Sequence, residues 1–430
     1  MIEKQPLELN ADFQYALDAI EKEGKNLFIT GRAGTGKSTL LQLFKSTTRK
    51  KTVVLAPTGI AALNVGGQTI HSFFGFPPKF LQRNEIHKRR DRRLYKNLDI
   101  LIIDEISMVR ADLLDNIDYF LRLNRENPNP FGGVQVVFFG DLFQLPPVVN
   151  SQSHEMQLFH AQYETPYFFS ARVMEDFHMD MMELQKVYRQ ENRHFLRLLE
   201  GIRLNRIELD ELLELNVRHE KDFVPQDFYI TLTSRNDRAN AINQQELDRI
   251  PLPAQTYYAT ITGEFNPQLF PTEQALRLKL SAQVMFIKND PKRQFVNGTI
   301  GKVVKLENDA ITVMIEENDN RRYVEVEPLD WEILRYEPST TDPTAIETRT
   351  IGTFRQYPLK LAWAITIHKS QGKTFDKVII DLGSGAFEHG QTYVALSRCR
   401  TLEGIVLKQP IRQKDILTDE RIVEFYERYF

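Results

Sequence analysis

Four residues fix the first chemistry open to this chain: Gly31, Gly36, Lys37 and Ser38 in GRAGTGKST fit the spacing G-x-x-x-x-G-K-[ST]. Glycines there free backbone N–H groups to wrap a β-phosphate at a positive helix terminus, Lys37 reaches the β and γ oxygens, and Ser38 ligates magnesium. The bland alternative is a glycine turn before an amphipathic helix. Hydrolysis needs a carboxylate beside such a loop, and LDILIIDEISM supplies Asp104 and Glu105 directly after an apolar run. Asp104 is placed to hold a magnesium shell and Glu105 to polarise the attacking water. In FFGDLFQLPPV, Gln144 follows a buried-strand pattern by a few residues, where its amide can sense a γ-phosphate. Arg189 in LQKVYRQ and Arg398 in YVALSRCR lie far downstream, as solvent-facing arginines or as groups that reach a γ-phosphate from a second domain.

The elements that must carry these residues are legible in outline. NLFIT before the glycines reads as a strand and STLLQLFK after them as a helix. Short apolar runs (KTVVLAP, LDILIID, VQVVFFGD) alternating with helical spacings predict a parallel sheet covered by helices, ending near residue 180. A second set of α/β elements spans 181–260 and 361–430. Between them, 261–360 holds short alternating strands separated by Asn, Asp and Gly turns, which predicts a small inserted β-barrel. The formal net charge is -3, from 55 Lys and Arg against 58 Asp and Glu, so a polyanion can be held only by a local patch. RNEIHKRRDRRLYK, Arg83 to Lys96, is such a patch or a solvated helix face. The single Cys399 excludes an internal disulfide and a cysteine-built zinc site. No stretch approaches the roughly 20 apolar residues of a membrane span, and the start reads as untargeted.

Taken together, GRAGTGKST, LAPTGIAALNVGGQTIHSFF, LIIDEISM, GDLFQLPPV, VYRQ, TIHKSQGKTFDKVIIDLG and YVALSRCRTLEGI resemble the motifs of superfamily-one helicases with a RecD-like core, specifically the petite-integration-frequency (Pif-type) DNA helicases. DEISMVRADLLDNIDYFLRLNRE is similar to that family's own signature segment. The resemblance implies an α/β fold of two RecA-like P-loop parallel-sheet domains, with a small basic wedge insertion at about 75–96 in the first and the β-barrel in the second. It implies that Gln14 reads adenine, that Gly34, Thr35, Gly36, Lys37, Ser38, Thr39 and Gly372 contact nucleotide, and that Ser38 and Asp104 hold Mg2+. Glu105, Gln144, Arg189 and Arg398 then complete the hydrolytic site. Thr58, Gly59, His71, Thr366 and His368 are expected to line a single-strand groove, or to be caps and satisfied core polars. Phe73, Phe74 or Phe76 would lie against bases or in the core, and Arg89, Arg90, Arg92 and Arg93 would form the wedge. Leu142 departs from the family, which often has an aromatic residue there. The implied activity is ATP-driven 5′ to 3′ movement on single-stranded DNA with unwinding of forked or structured duplex, in genome maintenance. The rival is an ATP-dependent clamp or loader that binds DNA without separating strands. A monomer, bacterial and cytoplasmic, with a minimal helicase core and no membrane association completes the expectation.

Overall fold

In the computed structural model, which describes residues 9–148, 159, 161–317 and 320–430, the first strands are β1 (Leu27–Gly31), β2 (Thr52–Ala56), β3 (Gln68–Thr69), β4 (Ile100–Ile103), β5 (Gln135–Phe139) and β6 (Asp180–Leu184). They form one parallel sheet in the order β3-β2-β4-β5-β1-β6. β1 and β4 are buried at every residue, which is why their sequences are unbroken apolar runs. Because β4, β5 and β1 are neighbours, the loops at their carboxyl ends open side by side. Those loops carry Asp104 and Glu105, Gln144, and the phosphate-loop glycines. The sheet does not stop at residue 180: β6 pairs with β1 from Leu27↔Asp180 to Gly31↔Leu184. As an edge strand it buries only Met182 and Leu184, so DMMEL lacks the apolar run that marks the inner strands.

β7 (Ile230–Thr233) opens a second parallel sheet, which the chain leaves for an all-β region and then rejoins. That region comprises β8 (Ala254–Tyr258), β9 (Thr260–Gly263), β10 (Ala275–Lys279), β11 (Gln283–Phe286), β12 (Ile300–Leu306), β13 (Ile311–Glu317), β14 (Asn320–Val326), β15 (Leu329–Pro338), β16 (Ile346–Gln356) and β17 (Leu359–Leu361). The expected barrel is not a closed ring among the described residues. The strands divide into an open antiparallel sheet β14-β13-β12-β11-β17, a ribbon β8-β10, and a sheet β15-β16-β9. A register shift between Val303 and Lys305 bends β12, and the five-stranded sheet and the ribbon wrap one core that includes Leu276, Val284, Val303, Val313 and Val324. β15 and β16 instead run away from that core as a long hairpin. β18 (Ala364–Thr366), β19 (Val378–Asp381) and β20 (Ile405–Leu407) complete the second sheet in the order β18-β7-β19-β20.

The hairpin docks on the first sheet. The Tyr336 hydroxyl accepts the Val54 N–H at 3.2 Å, and the Tyr336 N–H donates to Gln68 Oε1 at 3.2 Å. Beside it Leu269 packs so closely on Gly59 that any Cβ there would strike its side chain. Among the described residues no helix is long and apolar enough to cross a membrane.

Candidate nucleotide site and nucleic-acid face

The loop after β1 depends on glycine. Gly34 and Gly36 have φ of 86° and 90°, in the left-handed region that side chains resist. A Cβ on Gly34 would lie 2.5 Å from Cβ of Arg189, and one on Gly36 would lie 3.0 Å from the Phe13 ring. The helix Lys37–Thr47 starts directly after Gly36, with Ser38 and Thr39 exposed on its first turn and its leading N–H groups free of intrahelical partners. Thr35 is buried, its hydroxyl donating to Arg32 O at 3.0 Å. Lys37 folds back, its Nζ donating to Gly31 O at 2.6 Å and Arg32 O at 3.1 Å. Burial lowers its pKa, against the opposing pull of Asp141 and Glu105. An anion in the loop would relieve that deficit.

Asp104 and Glu105 end β4, and Glu105 itself is left-handed at φ 52°, a strained conformation of the kind that persists at functional sites. Burial raises both carboxyl pKa values, and the charge of Glu105 raises Asp104 further. A Ser hydroxyl and one carboxylate are hard oxygen donors of the kind magnesium takes when phosphates and water complete its shell. The absence of any three-residue His, Cys, Asp or Glu cluster among the described residues is compatible with so sparse a protein ligand set. Gln144 is buried, and its Nε2 donates to Asp141 Oδ2 at 3.0 Å.

Both late arginines come to this place. Arg189 donates through Nε to Thr374 Oγ1 at 2.8 Å and through a terminal nitrogen to Ser397 O at 3.1 Å, while Tyr188 N–H donates to Gly34 O at 2.9 Å. Arg398 is 1 % exposed and donates to Val394 O at 2.9 Å and Ser397 Oγ at 2.8 Å. Neither is in an ion pair with a carboxylate among the described residues. Burial brings Arg189 down to about 9 and Arg398 down to about 10, the latter against the charges of Glu105 and Asp141. One buried guanidinium and one partly buried one, with only hydroxyls and carbonyls as hydrogen-bond partners among the described residues, are a cationic pair suited to a polyphosphate. Sequence reasoning missed two neighbours. The Tyr393 hydroxyl, on the helix Gln391–Leu396, accepts the Ala33 N–H of the phosphate loop at 3.0 Å. Tyr188 is 46 % exposed, lies within contact distance of a Cβ on Gly36 and accepts from Asn10 Nδ2 at 3.0 Å. Its signal was its place next to Arg189. Gln14 is exposed on the helix Ala11–Glu21, on the same side of the chain as Asn10, its N-cap. Gly372 is exposed at φ 74° with open space around it.

The nucleic-acid candidates divide. Thr58 is exposed and caps the helix Gly59–Val65, accepting from Ala61 N. His71 is partly buried, and burial lowers its pKa, as does Arg110. Thr366 is buried and accepts from Lys369 N, and His368 pairs with Glu388 at 3.0 Å. Phe73 is not available to a base. It is buried, with edge-on contacts to Phe74 at 4.9 Å, Tyr95 at 5.6 Å and Tyr336 at 6.1 Å, and Phe74 and Phe76 are buried beside it. The basic run is also less free than its charge suggests. Arg89 donates to Phe74 O at 2.5 Å and lies over Phe120, Arg92 pairs with Glu126 at 2.6 Å, and Arg93 pairs with Asp91 at 2.7 Å. Lys88 and Lys96 converge on the same Glu126 carboxylate, which they and Arg92 hold down at about 2. Only Arg90 of the four arginines is exposed with no such partner among the described residues.

A phosphate loop, a carboxylate pair after β4, a glutamine in the loop after β5, an arginine in the loop after β6 and a second arginine just past the helix Gln391–Leu396 are the parts of a P-loop nucleotide hydrolase. The family model described as PIF1-like helicase matches residues 8–210, and that for the 2B domain of the DNA helicase Pif1 matches 266–306, inside the all-β region. The ATP-dependent DNA helicase Pif1 of Bdellovibrio bacteriovorus is 32% identical over 434 residues, covering 98% of this chain and 92% of that one. The Xenopus laevis ATP-dependent DNA helicase PIF1 is 35% identical, and this chain spans 62% of its length. Pif1 from Bacteroides sp in complex with ADP-AlF4 is 38% identical, with a TM-score of 0.90 over 99% of this chain and 97% of that one. The same relative bound to ssDNA superposes at only 0.69. The chain belongs to the PIF1-like helicase family.

Proposed function

We propose that the chain is an ATP-dependent DNA helicase that moves 5′ to 3′ along a single strand and separates duplex ahead of it. The observation that carries the ATPase half is the approach of two guanidiniums without carboxylate ion pairs among the described residues, Arg189 over Gly34 of the loop that presents Lys37 and the buried Arg398 near Arg189 and Glu105. Glu105 takes the proton of the attacking water, Gln144 holds the γ-phosphate and Tyr188 lies against the base. Ser38 and Asp104 would hold magnesium, which supplies charge neutralisation between the β and γ phosphates. One chain carries both halves of the site, so a monomer suffices. The motor units are residues 9–184 and, together, 185–253 and 362–430, with 254–361 inserted between the latter two. Unwinding assays on 5′-tailed and 3′-tailed duplexes test the reading. Displacement of the 5′-tailed substrate alone is expected, and DNA-stimulated hydrolysis without displacement of either would leave only a clamp or loader.

Leu269 packs on Gly59, beside Thr58, and the β15–β16 hairpin docks next to them, while the Bacteroides relative bound to ssDNA superposes at a TM-score of 0.69 against 0.90 for the same relative with ADP-AlF4. The insert therefore has to leave this face for a strand to enter. Undocking subtracts from apparent affinity by the fraction of open molecules. Leu269→Ala removes the part of this half-buried side chain that packs on Gly59, at most about 1.5 kcal/mol of the docked state's apolar burial, and is expected to tighten oligo-dT binding several-fold. Fluorescence anisotropy checks this, and unchanged affinity would mean that the docked state does not limit entry.

Arg90 is the arginine of the basic run left to meet a phosphate. Arg90→Ser is expected to flatten the slope of log affinity against log salt by about 0.7 on single strands, equally for all base compositions. Arg93→Ser should leave the slope unchanged, while Arg89→Ser should lower the melting temperature, because Arg89 closes the Phe74 carbonyl. A slope unmoved in Arg90→Ser would mark the run as a solvated face.

A further inference from the structure

Arg203 is the last residue of the helix Arg193–Arg203 and one of the largest fully buried side chains in the molecule. Three carboxylates converge on its guanidinium: Glu200 at 3.2 Å, Glu183 at 3.3 Å and Asp141 at 3.8 Å. The Phe143 ring lies over it at 4.2 Å and the Tyr426 ring at 4.8 Å, the two rings standing at 82° to each other. Tyr426 belongs to the C-terminal helix Glu420–Tyr429, and its hydroxyl donates to Glu183 at 2.9 Å. A charge taken this far out of water is costly unless its partners are well placed, and apolar packing could fill the same volume without that cost. Its Nε has no hydrogen-bond partner among the described residues.

What the partners hold is what singles Arg203 out. Asp141 uses its second oxygen to accept from Gln144 Nε2 at 3.0 Å and its first to accept the Phe143 N–H at 3.2 Å. Glu200 uses its other oxygen on Arg32 Nε at 2.9 Å, inside the phosphate loop. One guanidinium therefore grips, through one intervening residue each, the glutamine at the end of β5 and the phosphate loop after β1. It also clamps the ring of Phe143, the residue before Gln144. The side chain comes from the first helix after Arg189, so the grip and the arginine that overlies Gly34 are set by the same stretch of chain.

We propose that Arg203 is a positioning residue for ATP hydrolysis, which fixes the Gln144 amide relative to the phosphate loop through Asp141 and Glu200. The proposal rests on the reading of Gln144 as the γ-phosphate sensor. Arg203→Lys keeps the charge but loses the planar fork, so the Asp141 turn relaxes while the buried carboxylates stay compensated. On saturating oligo-dT it is expected to lower kcat roughly ten-fold, the size of loss that sub-ångström misplacement produces, with KM for ATP within about two-fold. In a Gln144→Ala background the same change should cost less than about two-fold in kcat, because the group it positions is gone.

A purely structural role predicts a lower melting temperature with parental kcat, or an equal loss of kcat in both backgrounds, and either result overturns the proposal. Should Arg203→Lys not fold, Glu200→Gln is taken through the same cycle. It breaks the Arg32 link at a less buried position and is expected to be non-additive with Gln144→Ala, whereas additivity overturns the proposal. Gln144→Ala at the parental rate would overturn the sensor reading and this assignment with it. A damaged Gln144→Ala beside a parental Arg203→Lys overturns the assignment alone.

Discussion

Glu105→Gln is expected to bind ATP close to parental affinity and to lose turnover by roughly 10²- to 10⁴-fold, the span of a general base removed from its substrate. The amide keeps the side chain's shape at the end of β4 and the left-handed backbone that aims it. The loss falls on proton transfer from water and spares the binding of phosphates. Burial already holds the Glu105 carboxyl above the usual range, so its basicity suits a group that must accept a proton. Lys37→Ala contrasts with it. Among the described residues the lysine's hydrogen bonds are two to carbonyls of its own loop, so its loss should leave the melting temperature near parental. It should nevertheless weaken nucleotide binding and abolish turnover together, because the charge bridging the β and γ oxygens is gone. Steady-state hydrolysis on saturating single-stranded DNA, paired with equilibrium binding of a labelled nucleotide, separates the two variants. Parental turnover in Glu105→Gln would remove it from the water-activating role.

The phosphate loop, the carboxylate pair and the alternation of the first sheet were legible because each is local. Glycines at fixed spacing, a helix start and an unbroken apolar strand lie within a few residues of one another. Arg189 and Arg398 were legible as candidates only through the motifs around them, since nothing in spacing says that residues this far apart come near each other beside the phosphate loop. What stayed hidden is what long-range packing decides. β6 reads poorly because an edge strand buries half its residues, and the open ladder of the insert depends on a bend in β12 and on the direction the β15–β16 hairpin takes. Phe73 illustrates the limit from the other side. An aromatic residue in a nucleic-acid motif has the same letter whether it stacks on a base or fills the core, and only the rings of Tyr95 and Tyr336 around it decide. In Arg83 to Lys96 the charge is plain, but the carboxylates that neutralise most of it, Asp91 and Glu126, include one supplied from the end of another helix. Arg203 carried no signal at all, because in HFLRLLEGIRL it looks like the polar edge of an amphipathic helix.

Arg398→Ala and Arg189→Ala are each expected to lower turnover by about 10³- to 10⁵-fold, as loss of a transition-state arginine does in phosphoryl transfer, with much smaller losses of ATP affinity. Arg398 is buried and Arg189 half-buried among carbonyls and hydroxyls, neither in an ion pair with a carboxylate among the described residues, and desolvation depresses both pKa values. Charge developing on the γ-phosphate would therefore be their counter-ion. In the proposed division the same residues belong to the second motor unit, which also touches the phosphate loop through the Tyr393 hydroxyl on Ala33, Tyr188 N–H on Gly34 O and Glu200 on Arg32. Removing an arginine therefore also removes part of what tells that unit which nucleotide is bound. In the parent, an ATP analogue and ADP should give different affinities for oligo-dT; in either variant that difference should shrink toward zero. The two losses can be told apart from a folding defect by the conservative variants. Arg398→Lys and Arg189→Lys keep the charge, and are expected to recover part of the nucleotide-dependent change in DNA affinity while remaining slow, because a point ammonium cannot span two oxygens as the guanidinium fork does. Turnover within ten-fold of parental in Arg398→Ala, on saturating single-stranded DNA, would take that arginine out of the transition state and leave Arg189 as the sole residue acting across the cleft.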